Sequence, residues 1–307
     1  MNAIHRLLPE DRQHWLALRA QDVTSTEVSA LFGLNPYLSA YELWHRKAEQ
    51  DLGEIAETER MTWGTRLQDA IGKGVAADQG WKVRRMAQYL RDPSARLGAS
   101  FDFEIIAHPD GPGLLEIKTV DRMVYQSYWQ DGDLPEAPPH IEIQVQQQML
   151  VSGRRWAMIA ALVGGNEIKL IRRDFDAEIA AELRRRTLAF WASIADRQPP
   201  DPNYFLDARF IAAQFRQSTP GSVLDARANA RLMTLAERYQ NLSQDIRRME
   251  SEKAAIKAEV LTTIGPAEKV LLADASISAK TVPAKDITYT RAAYRDFRIH
   301  KGQSHES

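Results

Sequence analysis

Apolar residues recur at helical spacing in several stretches of the first two hundred residues. Leu67, Ile71 and Val75 lie four residues apart and predict a helix over 63–79. Other short stretches begin at a capping residue or end at glycine, as helices commonly do. They predict helices over 28–32 (capped by Ser25 or Thr26 and stopped by Gly33), 39–47, 138–151 (ended by Ser152 and Gly153) and 176–195.

Between these helices the apolar pattern changes to period two, which is typical of strands. Residues 97–106 and 114–120 alternate in this way, and the turn-forming stretch 108–113 between them predicts a hairpin. A second hairpin is predicted over 156–163 and 168–173. This order of helices and hairpins indicates an α/β core with a mixed sheet flanked by helices.

The composition changes near residue 197, where a proline-rich stretch precedes a long polar helical pattern. We therefore predict a first domain over 1–200, a linker over 201–223 and a C-terminal region over 224–307 that ends in a small β element and a polar tail. The C-terminal pattern is a coiled-coil-like seam that Lys253 interrupts. The seam either folds back on its own chain as a helical hairpin or pairs between chains; its residues are Leu232, Leu235, Tyr239, Leu242, Ile246, Met249, Ile256 and Val260.

Composition narrows the possible chemistry. The 307 residues include no cysteine, which excludes disulfides, thiolate zinc sites, cysteine nucleophiles and iron–sulfur clusters. The net charge of −1 does not by itself call for a polyanionic partner, although a local basic patch can still bind one. Neither a membrane span nor a signal peptide is evident, so the expected location is the cytosol.

The first predicted hairpin brings candidate catalytic groups together. Glu116 and Lys118 lie two residues apart on one strand face, whereas Leu115 and Ile117 point towards a core. A hairpin turn near residue 110 places Asp102 beside Glu116 and Lys118. Two carboxylates can bind Mg²⁺ or Mn²⁺ and a lysine can stabilise a phosphoryl group, although a solvated surface is the commoner use of this pattern.

Four stretches, taken in order over about residues 12–175, resemble the YqaJ/lambda-exonuclease family of viral recombination nucleases. That family belongs to the superfamily with the restriction-endonuclease-like fold, so the resemblance implies this fold for the mixed sheet. The stretches are Trp15–Arg19 with Val23–Val28 and Gly33–Tyr37; Trp63–Ile71; Gly98–Asp102 with Leu115–Thr119; and Ile143–Met149 with Gly153.

The resemblance implies roles for individual residues. Asp102 and Glu116 correspond to metal-binding carboxylates, and the backbone carbonyl of Ile117 to a further ligand of one or two ions. Lys118 corresponds to the catalytic lysine and Gln144 to a glutamine of the active-site helix.

The resemblance also implies a site for a DNA end. Arg19 corresponds to the arginine that binds a 5′-phosphate, and Thr26 to a hydroxyl residue beside it. From the residues alone, Arg19 could instead be a surface arginine and Thr26 a helix cap. Gln144 and Gln148 could likewise be a solvated stripe on their helix.

Two positions depart from the family pattern. Many members have glutamate where this chain has Gln68, which can contact a metal-bound water but brings no charge. Ile141 stands where a tyrosine is frequent, and His140 before it is either a phosphate contact or a surface histidine.

These residues and the resemblance together predict an Mg²⁺-dependent deoxyribonuclease. The resemblance implies a 5′→3′ exonuclease that degrades double-stranded DNA ends in phage-type recombination, in the cytosol of a bacterium or a phage-infected host. The implied partners are DNA ends, a single-strand annealing protein and further copies of this chain. Two alternatives stay open: an endonuclease or nickase on the same core, and a non-catalytic scaffold that binds DNA ends and loads an annealing protein, for which Gln68 is the supporting feature.

Overall fold

The computed structural model describes residues 3–49, 58–288, 290 and 293–300. The chain divides into two compact units, residues 1–211 and 212–307, at a point within the stretch predicted as a linker. In the described residues the helices are α1 (Arg12–Ala20), α2 (Ala40–Ala48), α3 (Glu59–Gln79), α4 (Arg122–Tyr128), α5 (Pro139–Ser152), α6 (Ala177–Ala195), α7 (Ala208–Gln214) and α8 (Ala230–Ile264), with a short 3-10 helix at Val28–Phe32.

The strands of the first unit form two main sheets and one small ribbon. In the described residues the strands are β1 (His5–Leu7), β2 (Val23–Thr24), β3 (Lys82–Arg85), β4 (Tyr89–Asp92), β5 (Leu97–Ala99), β6 (Phe103–Ala107), β7 (Gly113–Val120), β8 (Gln130–Asp131), β9 (Leu134–Pro135), β10 (Trp156–Val163), β11 (Glu167–Asp174), β12 (Lys269–Leu271) and β13 (Ser276–Ser278). A mixed sheet has the order β11-β10-β7-β6-β3, in which only β10 and β7 are parallel, and a second sheet has the order β1-β4-β5-β2.

The five-stranded sheet buries both faces because its central strands alternate between two cores. On one face, Leu115 and Ile117 of β7 pack with Ile71 of α3. On the other face, Leu114 packs with Val145 of α5. The predicted α/β fold, a mixed sheet flanked by helices with a C-terminal helical region, is therefore confirmed.

The approach of α3 to the sheet depends on a small residue. A Cβ atom added to Gly72 would lie 2.4 Å from the ring of Phe103 on β6, which is too close for any side chain. Glycine therefore allows α3 to pack directly over β6 and β7, which brings Gln68, one turn earlier on this helix, to Asp102 just before β6.

The single strand predicted over 97–106 is wrong in one respect. The chain forms β5 in one sheet and β6 in the other, and residues 100–102 connect them. Asp102 lies in this break, and its carboxylate accepts the Ile117 N–H at 2.8 Å. A side chain thus replaces a ladder hydrogen bond, which alternation of apolar residues does not reveal.

The predicted cap of the first short helix is also wrong. The 3-10 helix at Val28–Phe32 follows Glu27 and has no side-chain cap, because the hydroxyl of Thr26 contacts Arg19 instead. The predicted stop is confirmed, since Gly33 adopts the left-handed conformation with φ of 67°.

In the second unit, α8 runs for 35 residues without interruption, so the seam does not fold back on itself as a helical hairpin. The seam residues Leu232 through Ile256 are between 46 % and 62 % exposed. One of them, Tyr239, packs edge-to-face against Phe297 at a centroid distance of 5.3 Å. Pairing of the seam between chains stays a prediction.

Among the described residues, no helix combines the length and apolar character that crossing a bilayer requires.

Candidate active site

Strand β7 presents two charged side chains to helix α5. Glu116 and Lys118 lie on the same face, with Lys118 Nζ 2.6 Å from Glu116 Oε1. Glu116 is only 5 % exposed, because the helix covers it. A buried polar group is costly unless it is hydrogen-bonded, and the side chains of α5 supply the donors for Glu116.

Two glutamines of α5 hold this pair in place. Gln144 Nε2 donates to Glu116 Oε1 at 2.6 Å, and Gln144 Oε1 accepts from Lys118 Nζ at 3.1 Å. One turn later, Gln148 Nε2 donates to Glu116 Oε2 at 2.9 Å. The solvated stripe considered from the sequence is therefore wrong: both glutamines are buried against the catalytic candidates. Gln148 was missed as a site residue, and its spacing of four from Gln144 was the available signal.

Asp102 reaches the same place from the break between β5 and β6. One carboxylate oxygen accepts the Ile117 N–H at 2.8 Å, and the other accepts from Gln68 Nε2 at 2.8 Å. Gln68 thus lies in direct contact with Asp102. The structure brings together all the residues predicted for the metal and catalytic roles: Asp102, Glu116, Ile117, Lys118, Gln144 and Gln68.

Ionisation of the Asp102 carboxyl group is unfavourable in this environment. Burial, followed by the negative charge of Glu116, raises the pKa of Asp102 from its ordinary 3.8 to about 7, against the opposing charge of Lys118. The Asp102 carboxylate therefore readily accepts a proton or a cation.

The donor set fits a divalent ion with oxygen ligands. Across the part of the chain that the structure describes, no three His, Asp or Glu side chains gather into a metal cluster. Two carboxylates are nevertheless enough for Mg²⁺, which keeps several waters and uses few protein ligands. Oxygen of a backbone carbonyl or an amide can complete the set.

The predicted phosphate-binding residues also meet. Arg19 ends α1, and its guanidinium donates to the hydroxyl of Thr26 at 3.2 Å while stacking 4.5 Å from the ring centroid of Trp15. Trp15 in turn donates from its indole nitrogen to Ser100 Oγ at 2.9 Å. Since Ser100 is two residues from Asp102, the Arg19 cluster and the carboxylate cluster are neighbours.

A buried ion pair contacts the backbone of Arg19. Lys47 has no exposed side-chain surface; its ammonium lies 2.9 Å from Glu27 Oε2 and donates to the Arg19 carbonyl at 2.8 Å. Although burial opposes ionisation, the charges of Lys47 and Arg19 lower the pKa of Glu27. Sequence reasoning missed this support, because Glu27 and Lys47 lie on separate elements and only the fold pairs them.

Comparisons with known proteins show which family and which fold the chain resembles. Over 262 residues the chain is 23 % identical to a protein of Bacillus subtilis strain 168 called uncharacterized protein YqaJ, covering 84 % of this chain and 79 % of that protein. The crystal structure of the alkaline exonuclease LHK-Exo from Laribacter hongkongensis shares the fold, with a TM-score of 0.51, 22 % identity and coverage of 66 % of this chain and 98 % of that one. The complex of LHK-Exo with dAMP superposes with the same TM-score of 0.51. Residues 14–155, which contain every predicted site residue, match the family described as a YqaJ-like viral recombinase domain. The family resemblance that the motifs predicted is therefore confirmed for residues 14–155.

Proposed function

We propose that this protein is a metal-dependent deoxyribonuclease that degrades double-stranded DNA from 5′ ends during phage-type recombination. The observation that carries the proposal is the convergence of Asp102, Glu116 and Lys118 on one surface under Gln144. These residues lie within the segment that matches the YqaJ-like viral recombinase domain. The chain also shares its fold with an alkaline exonuclease, and both findings support the proposal.

Asp102, Glu116 and the carbonyl of Ile117 are the residues that would hold Mg²⁺ or Mn²⁺, with one or two ions in the site. Gln68 would contact a metal-bound water rather than the ion. When bound, the ion lowers the pKa of a coordinated water and offsets negative charge on the scissile phosphate.

The protein's own residues supply orientation and positive charge. Lys118 is held from two sides, by Glu116 at 2.6 Å and by Gln144 at 3.1 Å, so its ammonium has a fixed place beside the carboxylates. From that place Lys118 stabilises the extra negative charge that develops on the phosphate and orients the attacking water. Gln144 and Gln148 orient Glu116 without adding charge.

The proposed 5′→3′ direction rests on Arg19 and Thr26. A guanidinium beside a hydroxyl suits a terminal phosphate, which can accept charge-assisted hydrogen bonds from both. Placed next to the carboxylate cluster through Trp15 and Ser100, this pair fixes the 5′-phosphate close to the bond that is cut. The exposed 3′-ended strand would then pass to a single-strand annealing protein.

One assay separates this function from its alternatives. Linear and covalently closed circular duplexes are incubated with the full-length protein in Mg²⁺, in Mn²⁺ and in EDTA. An exonuclease releases acid-soluble nucleotides from the linear form alone, and only with metal. Nicking or linearisation of the circle would instead indicate an endonuclease, and metal-independent binding of ends without any release would indicate a scaffold.

A further inference from the structure

A cleft of about 360 Å³ in the first unit is lined by residues of both main sheets. Its walls include residues of β1 and β3, which are edge strands of the two sheets. We call it the arginine cleft and define it by the four arginines that line it: Arg6, Arg84, Arg85 and Arg154. The proposed catalysis uses none of these residues, so the cleft has no role in it.

The cleft carries more positive charge than its own lining neutralises. Among the described residues that line it, one is acidic: Glu104, which is 2 % exposed and forms ion pairs with Arg84 and Arg154. Although burial opposes ionisation, the hydrogen bonds from Arg154 and Arg84 lower the pKa of Glu104, so this carboxylate is charged at neutral pH. Four guanidinium groups and one carboxylate leave three positive charges in the cleft.

Two of the arginines have no acidic partner. In the part of the chain that the structure describes, the guanidinium groups of Arg6 and Arg85 form neither a hydrogen bond nor an ion pair. Arg154 also has an unused donor, because its Nε is buried and has no acceptor. Charged side chains on edge strands hinder unwanted strand pairing, but that role does not require four arginines around one cavity. Their convergence instead favours an anion as the ligand.

The cleft adjoins the segment that carries a proposed metal-binding carboxylate. Met86, which lines the cleft, donates its backbone N–H to the Asp102 carbonyl at 3.2 Å. Burial raises the pKa of Asp102, and the nearby charge of Arg85 is among the effects that oppose this rise. The cleft and the carboxylate cluster are therefore neighbours.

We propose that the arginine cleft binds phosphates of the DNA backbone, as a contact separate from the terminal-phosphate site at Arg19. The inference rests on the proposed function for the identity of the anion. Because a DNA strand carries one phosphate per about 3.4 Å of helix axis, a strand that is cut beside Asp102 brings further phosphates to this part of the surface.

The residue type and the substrate both suit this contact. A guanidinium group can bind two phosphate oxygens with parallel hydrogen bonds, which the ammonium group of a lysine cannot do. Phosphate contacts position DNA without reading its sequence. They therefore suit an enzyme that must hold DNA of any sequence.

The test measures binding of the full-length protein to a short blunt duplex in Ca²⁺ over a series of salt concentrations. The duplex has 5′-hydroxyl ends, so a terminal phosphate does not contribute. The variants are Arg6→Gln, Arg85→Gln and the double variant, which lose charge but keep polar side chains at these exposed positions. The matched control is Arg209→Gln, at an exposed arginine that does not line the cleft.

The logarithm of the association constant falls with the logarithm of the salt concentration, and each neutralised phosphate contributes about 0.9 to this slope. We expect the slope to be shallower by about 0.9 in each single variant and by about twice that in the double variant. Arg209→Gln should keep the wild-type slope. The variants should also weaken binding equally on duplexes of different sequence.

Three results would overturn the proposal. The first is a double variant with the wild-type slope, and the second is a control that lowers the slope as much as Arg6→Gln does. The third is a slope that changes in Arg85→Gln but not in Arg6→Gln, which would assign the effect to the neighbouring carboxylate site.

Nucleotide release by the wild type in Mg²⁺ keeps this inference separate from the proposed function. A shallower slope in both single variants of a protein that degrades no DNA would support the arginine cleft and contradict the nuclease. Normal degradation by the wild type, together with an unchanged slope in the double variant, would overturn the cleft and leave the nuclease standing.

Discussion

Gln68 Nε2 lies 2.8 Å from Asp102 Oδ1, so the side chain of α3 that departs from the family pattern contacts the proposed metal-binding carboxylate directly. An amide at this position donates a hydrogen bond to Asp102 but adds no negative charge. The residue at position 68 therefore determines how many carboxylates lie at the proposed metal site.

The first prediction concerns this position. Gln68→Glu places a third carboxylate beside Asp102, and affinity for hard cations rises with the number of charged ligands. We expect half-maximal cleavage at an Mg²⁺ concentration at least about 10-fold lower than in the wild type, a factor at the low end of outer-ligand effects. Gln79→Glu, at the exposed end of the same helix, is the matched control and should leave the titration unchanged. A metal titration of Gln68→Glu identical to that of the wild type would place residue 68 outside the metal site.

The second prediction concerns pH. Because the pKa of Asp102 is raised to about 7, the folded metal-free protein keeps a proton that the unfolded chain loses near its ordinary pKa of 3.8. The contribution of Asp102 to stability is therefore favourable at low pH and is lost as the pH rises towards and through about 7. Asp102→Asn removes the charge, and Gln68 can turn its amide to accept from the new group. In EDTA at pH 8 we expect this variant to melt at least about 2 °C above the wild type, with little difference at pH 4.

Differential scanning calorimetry with and without Mg²⁺ measures these melting temperatures. Added Mg²⁺ should raise the melting temperature of the wild type at pH 8 and have a smaller effect on Asp102→Asn. A variant that melts below the wild type in EDTA at pH 8 would show that the Asp102 carboxylate is stabilising when ionised.

The third prediction concerns Arg19. A hydrogen bond to a charged group contributes about 1.5–3 kcal/mol, so its loss should cost roughly 10- to 100-fold in rate on ends that carry the phosphate. Arg19→Ala should therefore slow digestion of 5′-phosphorylated ends by this factor and of 5′-hydroxyl ends much less. Arg19→Lys should recover part of the loss, because it restores the charge without the planar geometry.

The control for Arg19 is Arg185→Ala, which removes an exposed arginine of α6 that pairs with Glu182. It should digest both kinds of end at the wild-type rate. Equal slowing of both ends by Arg19→Ala would assign Arg19 a structural role instead.

The sequence patterns predicted the candidate catalytic side chains better than they predicted the residues that hold those side chains in place. Alternation along β7 correctly placed Glu116 and Lys118 on one face, since a strand has a fixed period and both neighbouring cores are apolar. The position of Asp102 in a break between sheets was not predictable from apolar alternation, because its carboxylate bonds to the Ile117 backbone across 15 residues.

The burial of two glutamines on α5 was not predictable from the sequence either. Gln144 and Gln148 are polar, and polar residues on a helix usually face water. Here the partner that satisfies them is another buried polar group, Glu116, on a different element. Pairings of this kind depend on the tertiary fold, as does the Glu27–Lys47 pair behind Arg19.

The fourth prediction concerns the C-terminal region. All residues of the proposed site lie before residue 155, so a chain that ends at residue 214, after α7, should keep metal-dependent cleavage of short duplexes. We expect it to form smaller assemblies than the full chain, because it lacks the exposed seam of α8. Light scattering on the two forms measures the assembly. A shortened chain that is folded by circular dichroism but inactive on every DNA would show that the second unit contributes to DNA binding.

A cut at residue 200 should be more damaging than a cut at residue 214. Asp207 is completely buried and accepts hydrogen bonds from the Ser39 hydroxyl, which caps α2, and from the Asn203 N–H at 2.7 Å. Losing a buried partner of this kind costs about 1–3 kcal/mol. Thermal melts should therefore rank the form ending at 214 above the form ending at 200.

The most direct measurement of the central claim compares the wild type with Glu116→Gln and the control Glu167→Gln on one linear duplex with 5′-phosphates in Mg²⁺. Glu167 is a half-buried carboxylate of β11 outside the proposed site. Release of nucleotides by the wild type and by Glu167→Gln, together with a loss of at least about 100-fold in Glu116→Gln and retained DNA binding in Ca²⁺, is the predicted result. Glu116→Gln that releases nucleotides at the wild-type rate, or a wild type that releases none with either Mg²⁺ or Mn²⁺, would contradict the assignment of this site as a metal-dependent nuclease.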